Sequence, residues 1–524
     1  MSKVHDLPFC HVIRRLAVRH PDKICFKDDH RQVTFGEFDK HTSSVARGLI
    51  DKGLKPGDRV CVVTNNCVEA LEAFFGIMKA DGIPVPVNQA TKPMELEAIF
   101  KSIEPKMLMM GNDYLGKLDP IGKDAQTWTD LFVLRGGEGA EYPAIGSLIA
   151  GYPSDPIDSK AANDDTALIL LTGGTTGLPK GVMITHTSML TNVFSANFLL
   201  TLHPHDKLLL FPPFCNGGPF SHMIGRMMRG VTIVLQNAFD PARFLKTVQE
   251  EEITLVMAVP AMIWKLMQFP DLDHYDLSSI RLVTYATAPM PVPLLKQVME
   301  KFNWEFQNGY GATELIGSII TALDPADHRL DGSPEMEKRL GSVGREGPDA
   351  IVRIFNDADE ELPSGQIGEI VMRGPHLMKG YWRQPEMTAE ALRNGWYHTG
   401  DVGYMDEGGY FFIVDRKKDM VISGGFNVYP KELENLLYTH PSVLDCAVIG
   451  VPHEKWGETP MAFIVLRPGE PAPSEEELML FCKERIAAYK LPNGGIKFVG
   501  ELPRTSQGKM DKKVLKENYL KKAL

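Results

Sequence analysis

Glycines, hydroxyl side chains and a lysine are concentrated in one stretch, residues 171–181, which reads LTGGTTGLPKG. The apolar residues before it, 166–171, predict a buried strand. Glycines let backbone N–H groups approach an anion closely, and the hydroxyls and Lys180 add further donors, so the loop suits a phosphate group. It differs from the common loop that ends in Gly-Lys-Ser/Thr, because Pro179 precedes the lysine and Gly181 follows it. The simpler alternative is a polar loop between two core strands.

A second cluster, residues 308–314, reads NGYGATE. Tyr310 offers an aromatic face to a base, the glycines allow close approach, and Glu314 is a carboxylate that can hold Mg²⁺. The order does not match G-x-G-x-x-G, so a dinucleotide site is disfavoured. The structural alternative is a loop with a core tyrosine.

Three later stretches add charge. Residues 396–401, WYHTGD, present Asp401, which can accept hydrogen bonds from a ribose diol. Residues 414–419, VDRKKD, precede a glycine-rich run at 423–430, and residues 502–509, LPRTSQGK, display Lys509. Charge runs are usually solvated faces, and each stretch taken alone is a surface loop.

The elements around these motifs predict an α/β fold. Short apolar strands at 59–63, 83–87, 207–211, 232–235, 255–257 and 282–285 alternate with helical segments, as in mixed or parallel sheets covered by helices. A chain of 524 residues is too long for one core. We expect a large N-terminal domain, 1–415, with a strand-rich subdomain at about 341–415, and a small α+β C-terminal domain, 416–524.

Composition excludes some classes of function. A net charge of −11 argues against a nucleic-acid surface. The seven cysteines form no C-x-x-C pair, which is typical of reduced thiols. The N-terminus lacks a signal-peptide apolar region, and no apolar run is long enough for a transmembrane segment. These features predict a cytoplasmic protein.

Five motifs in this order resemble those of the acyl-adenylate-forming superfamily, and within it the AMP-forming acyl-CoA ligases of fatty acids and related carboxylates. The resemblance covers essentially the full length. It implies that a carboxylic acid attacks the α-phosphorus of ATP to give acyl-AMP and pyrophosphate, and that the thiol of coenzyme A then displaces AMP. ATP, Mg²⁺ and coenzyme A are the implied cofactors and co-substrates. A homodimer is left open.

The resemblance also implies roles for residues, motif by motif. The β- and γ-phosphates would be held by Thr172, Gly173, Gly174, Thr175, Thr176, Gly177 and Lys180. Thr172 and Glu314 would lie near Mg²⁺, and Thr313 would touch the α-phosphate. Adenine would stack on Tyr310 beside Asn308, Gly309, Ala288 and Pro289. Asp401 and Arg416 would bind the ribose.

The family's C-terminal domain is mobile. Lys509 would bridge the substrate carboxylate and the α-phosphate. A swing about Lys418 would withdraw Lys509 and bring a loop to the active site that lines a coenzyme A tunnel: Gly424, Gly425, Phe426 and Asn427.

The implied acyl pocket is neutral and comprises Phe214, Cys215, Asn216, Gly217, Tyr285, Ala286, Gly311 and Leu315. Cys215 stands where many members have an aromatic residue followed by histidine, and where amino-acid-activating members have an aspartate that binds the ammonium group. A thiol cannot supply that charge, and Cys215 is interpreted as a small residue in the wall of the pocket. The residues at 286–289, ATAP, replace a glycine-rich version. An uncharged aliphatic, alicyclic or aryl carboxylate is expected, and dicarboxylates are disfavoured because these positions include no arginine.

Three alternatives remain. An adenylation enzyme that loads a carrier protein would fit the motifs, although no carrier domain follows Lys509 and the acidic amine anchor is missing. A luciferase-like oxidase shares every motif. A non-catalytic nucleotide-binding protein is disfavoured because Lys509 and Glu314 are both present.

Overall fold

The computed structural model of the chain describes residues 8–135, 141–157, 159–172, 179–199, 202–288, 290–317, 319–504 and 510–523. The helices within them are α1 His11–Arg19, α2 Phe35–Asp51, α3 Val68–Lys79, α4 Pro93–Ile103, α5 Ile145–Gly151, α6 His186–Phe198, α7 Gly217–Met227, α8 Pro241–Glu251, α9 Pro260–Met267, α10 Val292–Lys301, α11 Pro334–Leu340, α12 Pro385–Ala391, α13 Pro430–Tyr438, α14 Glu475–Lys483 and α15 Lys512–Ala523.

The strands are short, as the β-branched and apolar runs predict. They are β1 Ile24–Lys27, β2 Gln32–Thr34, β3 Arg59–Thr64, β4 Ile83–Asn88, β5 Met107–Met110, β6 Asp130–Val133, β7 Thr166–Thr172, β8 Lys180–Thr185, β9 Lys207–Leu210, β10 Thr232–Leu235, β11 Leu255–Ala258, β12 Leu282–Ala286, β13 Glu305–Tyr310, β14 Thr321–Leu323, β15 Arg345–Glu346, β16 Ile351–Phe355, β17 Gly368–Arg373, β18 Gly380–Tyr381, β19 Tyr397–Met405, β20 Phe411–Arg416, β21 Val421–Ser423, β22 Phe426–Val428, β23 Val443–His453, β24 Gly457–Leu466 and β25 Ile496–Phe498.

The largest sheet has the order β15-β14-β13-β12-β11-β9-β10-β1-β2, and its central strands are parallel. A second parallel sheet has the order β4-β3-β5-β6. Antiparallel β18-β8-β7 carries the glycine-rich loop. The strand-rich region forms the antiparallel sheet β16-β17-β19-β20, and the C-terminal sheet is β22-β21-β24-β23 with β25 beside β24. The α/β prediction is confirmed.

Alternating side chains of the largest sheet supply two separate cores. Leu208, Leu255 and Leu282 pack into the core that contains α2, α3, α6 and α7. Val256 and Val283, one residue along, pack into the core beneath α8, α9 and α10. Because successive strand residues point to opposite faces, each position on β12 and β13 belongs to a known side of the sheet.

Helix starts follow local capping chemistry. Thr34 accepts a hydrogen bond from the Glu37 backbone N–H while the Glu37 side chain accepts one from Thr34, which is the capping box that begins α2. Asp240 caps α8, with Pro241 in the first turn. Among the helices described, none is both long and apolar enough to cross a bilayer.

Candidate active site

The glycine-rich loop connects two paired strand ends. β7 and β8 are antiparallel, and their last pair is Thr172 opposite Lys180. The β7 strand is buried on both faces, since Leu168 and Ile169 pack into different cores. Residues 173–178 lie outside the described parts of the chain, and so the predicted roles of Gly173, Gly174, Thr175, Thr176 and Gly177 stay predictions.

Lys180 and Glu314 meet at a tyrosine that the sequence analysis did not single out. The Tyr381 hydroxyl donates to Glu314 Oε1 over 2.8 Å, and Lys180 Nζ lies 5.0 Å from the centre of the Tyr381 ring. Burial, reinforced by Glu314, raises the pKa of Tyr381, which keeps the hydroxyl protonated as a donor.

The backbone explains how Tyr381 reaches this place. β18 pairs with β8, with Tyr381 opposite Val182. The Met378 N–H donates to the Glu314 carbonyl, and the Tyr381 N–H donates to Thr388 Oγ1. In the sequence Tyr381 stands in an ordinary Gly-Tyr-Trp run, which reads equally well as core.

Asp401 is buried in a second cluster. Its Oδ2 accepts a 2.7 Å hydrogen bond from the Tyr310 hydroxyl, and its Oδ1 lies 2.5 Å from Arg416 Nε. Thr399 Oγ1 accepts from the Asp401 backbone N–H and fixes the turn. The Asp401 carboxylate raises the pKa of Arg416, and burial followed by Asp401 raises that of Tyr310. The structure therefore brings three predicted nucleotide-binding residues together.

Tyr397 interacts electrostatically with residues of both clusters, the one around Glu314 and the one around Asp401. It is buried, and its pKa is raised first by burial and then by Glu314, Tyr381, Tyr310 and Asp401. Tyr310, Tyr381 and Tyr397 are thus neutral neighbours of the two carboxylates. Tyr397 lies in the WYHTGD motif, where no residue type or spacing distinguishes it from its neighbours.

The Thr313–Leu315 turn packs against the first residues of α7. A Cβ on Gly217 would lie 3.2 Å from the Gly317 nitrogen and 3.3 Å from Thr313 Cα, so a residue without a side chain suits this approach. Residues 214–217 of the predicted acyl pocket therefore lie beside the turn that carries Glu314. Phe214 is fixed by Asn66, whose Oδ1 accepts from its N–H, and by Phe74.

Cys215 is buried, and burial raises the pKa of its thiol to about 12. The thiol is therefore neutral at ordinary pH, and its place in the wall of an acyl pocket stays a prediction. Asn216 occupies the N-cap position of α7.

The other predicted adenine and acyl residues lie around the ends of β12 and β13. Ala286 pairs with Gly309, and Tyr285 pairs with Asn308. Tyr285 faces the opposite side of the sheet from Ala286, and its hydroxyl bonds to His328 Nε2 over 2.9 Å. Ala288 and Gly311 are exposed, Leu315 is buried against the strand-rich sheet, and Pro289 lies outside the described residues.

Family models of known enzymes match most of this chain. The family model described as AMP-binding enzyme matches residues 13–382, and the model of the AMP-binding enzyme C-terminal domain matches residues 432–509. The chain belongs to the AMP-binding enzyme family. Its predicted resemblance to AMP-forming acyl-CoA ligases is confirmed.

Curated relatives match along nearly the whole length of this AMP-binding enzyme. The feruloyl-CoA synthase of Amycolatopsis sp is 34% identical, with 96% of this chain and 98% of the relative covered. The long-chain-fatty-acid–CoA ligase FadD13 of Mycobacterium tuberculosis is 33% identical, with 93% of each covered.

Solved structures of related enzymes superpose on nearly the whole chain. ATP-bound MatB from Rhodopseudomonas palustris superposes with a TM-score of 0.87 at 30% identity, with 97% of this chain and 99% of the other covered. The anthranilate CoA ligase AuaEII in complex with anthranoyl-AMP gives 0.90 at 27% identity, with 99% and 98% covered. ATP and coenzyme A thus fit this AMP-binding enzyme as substrates.

The predicted hinge residue, Lys418, lies two residues after Arg416 in the sequence. Lys418 lies in the turn Lys417–Asp419, whose Lys417 Nζ is 2.8 Å from Asp357 and 3.3 Å from Glu369. After the turn, the Lys431 N–H donates to Asp415 Oδ2.

The predicted coenzyme A loop lies in the β21–β22 hairpin. Gly424 and Gly425 have φ of 58° and 85°, which glycine adopts without strain. Phe426 is exposed and stacks on Tyr489 at 4.9 Å between ring centres, while Asn427 pairs with Ile422. Lys509 lies outside the described residues.

A magnesium ion fits the donors near the loop. Mg²⁺ is usually bound by one or two carboxylates together with substrate phosphates. Glu314 offers a carboxylate of which one oxygen accepts from Tyr381, and Thr172 offers a hydroxyl at the strand end. Within the described ranges no group of three or more His, Cys, Asp or Glu could hold a metal ion.

Proposed function

We propose that the chain activates a carboxylic acid with ATP to form acyl-AMP and then transfers the acyl group to coenzyme A. The observation that supports this best is the meeting of Lys180 and Glu314 at Tyr381, close to the turn that packs on α7. One cation and one carboxylate, held rigidly beside a glycine-rich loop, suit the binding of a metal–triphosphate.

Adenylation brings a carboxylate to a polyanion, so compensation of negative charge is the main task. Thr172 and Lys180, with the loop between them, would hold the β- and γ-phosphates of the leaving pyrophosphate. Mg²⁺, held by Glu314 and Thr172, would neutralise phosphate charge. Thr313 would contact the α-phosphate.

The nucleoside would be held at the other cluster. As a buried acceptor, the Asp401 carboxylate suits ribose hydroxyls, while Tyr310 and Arg416 keep that carboxylate oriented. Adenine would lie against Tyr310 beside Asn308, Gly309 and the 288–289 turn.

The second half-reaction would use the C-terminal segment. Lys509 would stabilise the pentavalent transition state of adenylation and then withdraw as residues 416–524 rotate about Lys418. The same rotation would bring residues 424–427 to the acyl-AMP and shield it from water.

The acyl group would enter beside residues 214–217. This region is neutral at its opening, because Cys215 is a protonated thiol. The relatives are named for feruloyl, fatty and 2-succinylbenzoic acids, so related chains act on differing carboxylates. A cytoplasmic location is consistent with seven free, buried cysteines.

The test is a carboxylate panel in two assays. Acid-dependent ATP–pyrophosphate exchange reports adenylation, and coenzyme A-dependent release of AMP reports thioester formation. We expect at least one acid to support both. Exchange without consumption of coenzyme A would favour the carrier-loading alternative, and uptake of O₂ with emission of light would favour the oxidase.

A further inference from the structure

Arg226 on α7 is a buried cation that the proposed mechanism does not use. It is 1% exposed, and burial lowers the pKa of its guanidinium to about 9. Its Nε and Nη2 have no hydrogen-bond partner among the described residues. An unpaired buried charge is costly and is normally compensated by a partner.

Other buried polar side-chain atoms, on α6 and on β13, also lack hydrogen-bond partners in the described structure. They are Asn192 Nδ2, Asn197 Oδ1 and Gln307 Oε1. The Ser221 hydroxyl donates to Asn192 Oδ1 over 2.9 Å, and Asn197 Nδ2 donates to the carbonyl of Gly225, next to Arg226. Gln307 Nε2 donates to the carbonyl at the end of α6. Buried polar atoms are rarely left unsatisfied, so this grouping indicates a polar occupant.

The position of Arg226 on α7 relates it to the acyl site. Gly218, His222 and Arg226 recur every four residues and therefore share one stripe of the helix. At the start of the stripe, a Cβ on Gly218 would lie 3.6 Å from Thr287 and 3.7 Å from Met257. Arg226 lies two turns further, about 12 Å along the axis. The stripe thus faces the sheet and runs inward from the acyl site.

The sheet face opposite the stripe carries the polar side chains of Thr284 and Gln307. Met257, Thr284 and Gln307 are neighbours across β11, β12 and β13. Thr284 and Gln307 lie two residues before the Ala286–Gly309 pair, on the same face. A purely apolar acyl chain passing this row would leave the Gln307 oxygen and Arg226 without partners.

The described carboxylate that attracts Arg226 is already engaged. Asp206 lowers the cost of burying Arg226, but its carboxylate accepts from Arg281 Nε over 2.9 Å, from Thr254 and from the His203 N–H. Arg281 and Arg226 repel each other. His222, also buried, has its pKa lowered by burial and by Arg226 and is therefore neutral.

We propose that Arg226 binds a second carboxylate, at the far end of an α,ω-dicarboxylic acid whose first carboxylate is adenylated. Gln307 and Asn197 complete the site as hydrogen-bonding neighbours. This rests on the proposed acyl-CoA ligase function. It reverses the expectation from the sequence that dicarboxylates are disfavoured, which was drawn from the predicted pocket positions and did not include Arg226. Arg226 lies deeper, on a helix whose burial the sequence did not show.

The test compares matched acids of equal chain length, each as the monocarboxylate and the α,ω-dicarboxylate, over a series of lengths. We expect the wild type to favour dicarboxylates of one length range in kcat/KM for thioester formation. Arg226→Met should lower the ratio of dicarboxylate to monocarboxylate kcat/KM by about 10- to 100-fold, because hydrogen bonds to charged groups are lost. Arg229→Met removes an exposed cation two residues after the end of the same helix and should keep the wild-type ratio.

Thermal unfolding separates a binding role from a structural one. Replacing an unpaired buried cation by an apolar side chain of similar volume is neutral or stabilising, so the Tm of Arg226→Met should not fall. A lower Tm with an unchanged substrate ratio would make Arg226 structural and overturn the proposal, as would a wild type that prefers monocarboxylates at every length. If monocarboxylates support both half-reactions and dicarboxylates do not, only this inference fails. If no acid supports exchange, the proposed function fails and the inference falls with it.

Discussion

Replacing Tyr381 by phenylalanine would test how the site holds Glu314. The change removes one hydroxyl and leaves the ring that contacts Lys180. Glu314 then loses a 2.8 Å charge-assisted hydrogen bond in a site where Tyr381 is 6% exposed. The carboxylate would still be present but free to rotate.

The magnitude follows from that one bond. Hydrogen bonds to charged groups contribute about 1.5–3 kcal/mol. If all of it serves to hold Glu314 in the geometry of the transition state, kcat/KM for ATP falls by about 10- to 150-fold. Tyr381→Leu also removes the ring beneath Lys180 and should cost about a further 0.5–2 kcal/mol.

The assay is pyrophosphate exchange at varied ATP and Mg²⁺, together with thermal unfolding. Tyr410→Phe is the matched control, because the Tyr410 hydroxyl donates to Asp327 over 2.7 Å in an equally buried place with no predicted role in the reaction. Both variants should lose comparable stability, and only Tyr381→Phe should lose activity and require more Mg²⁺.

A cycle with Glu314→Gln decides whether Tyr381 acts through Glu314. Residues that act as a unit have non-additive effects, so the double variant should be about as slow as Glu314→Gln alone. Fully additive losses, or equal activity of Tyr381→Phe and Tyr410→Phe, would refute the reasoning.

Asp401→Asn should raise KM for ATP about tenfold, because the acceptor of the ribose hydroxyls loses its charge and Arg416 loses its ion-pair partner. An unchanged KM would contradict the proposed role of Asp401 in binding the ribose. Lys509→Ala should slow adenylation by roughly 10²–10³-fold and affect thioester formation from supplied acyl-AMP much less, whereas equal losses would contradict its assignment. A thiol reagent at pH 8 should modify none of the seven buried cysteines in the native enzyme and all of them in denaturant, since burial holds the pKa of Cys215 at about 12. Rapid native labelling of Cys215 would contradict a closed pocket wall.

Sequence patterns predicted the parts of this fold that local chemistry determines. The apolar run before the glycine-rich loop forms β7, and the strand predicted at 232–235 is observed with those limits. The NGYGATE motif ends β13 and forms the turn that holds Glu314. Each depends on residues that are neighbours in the chain.

Contacts between distant segments could not be read from the sequence. Tyr381 acquires its place because β18 pairs with β8, and nothing in Gly-Tyr-Trp indicates that partner. Tyr310 was predicted to stack on adenine, while its bond to Asp401 depends on how β13 and β19 meet. Arg226 stands in the run MIGRMMRG, where an arginine suggests a solvated helix end; its burial follows from α7 lying between α6 and the sheet.

The charges of the described site explain why adenylation would need the C-terminal segment. Glu314 and Asp401 carry two negative charges, and Lys180 and Arg416 carry two positive ones. The three neighbouring tyrosines stay neutral, since burial raises the pKa of each. These four charges therefore cancel and cannot alone balance a triphosphate and an approaching carboxylate. In the proposed mechanism the surplus positive charge would come from Mg²⁺, which would arrive with ATP, and from Lys509 of the C-terminal segment. Once pyrophosphate has left, the carbonyl attacked by the coenzyme A thiol has no triphosphate beside it, so the withdrawal of Lys509 should slow that step little.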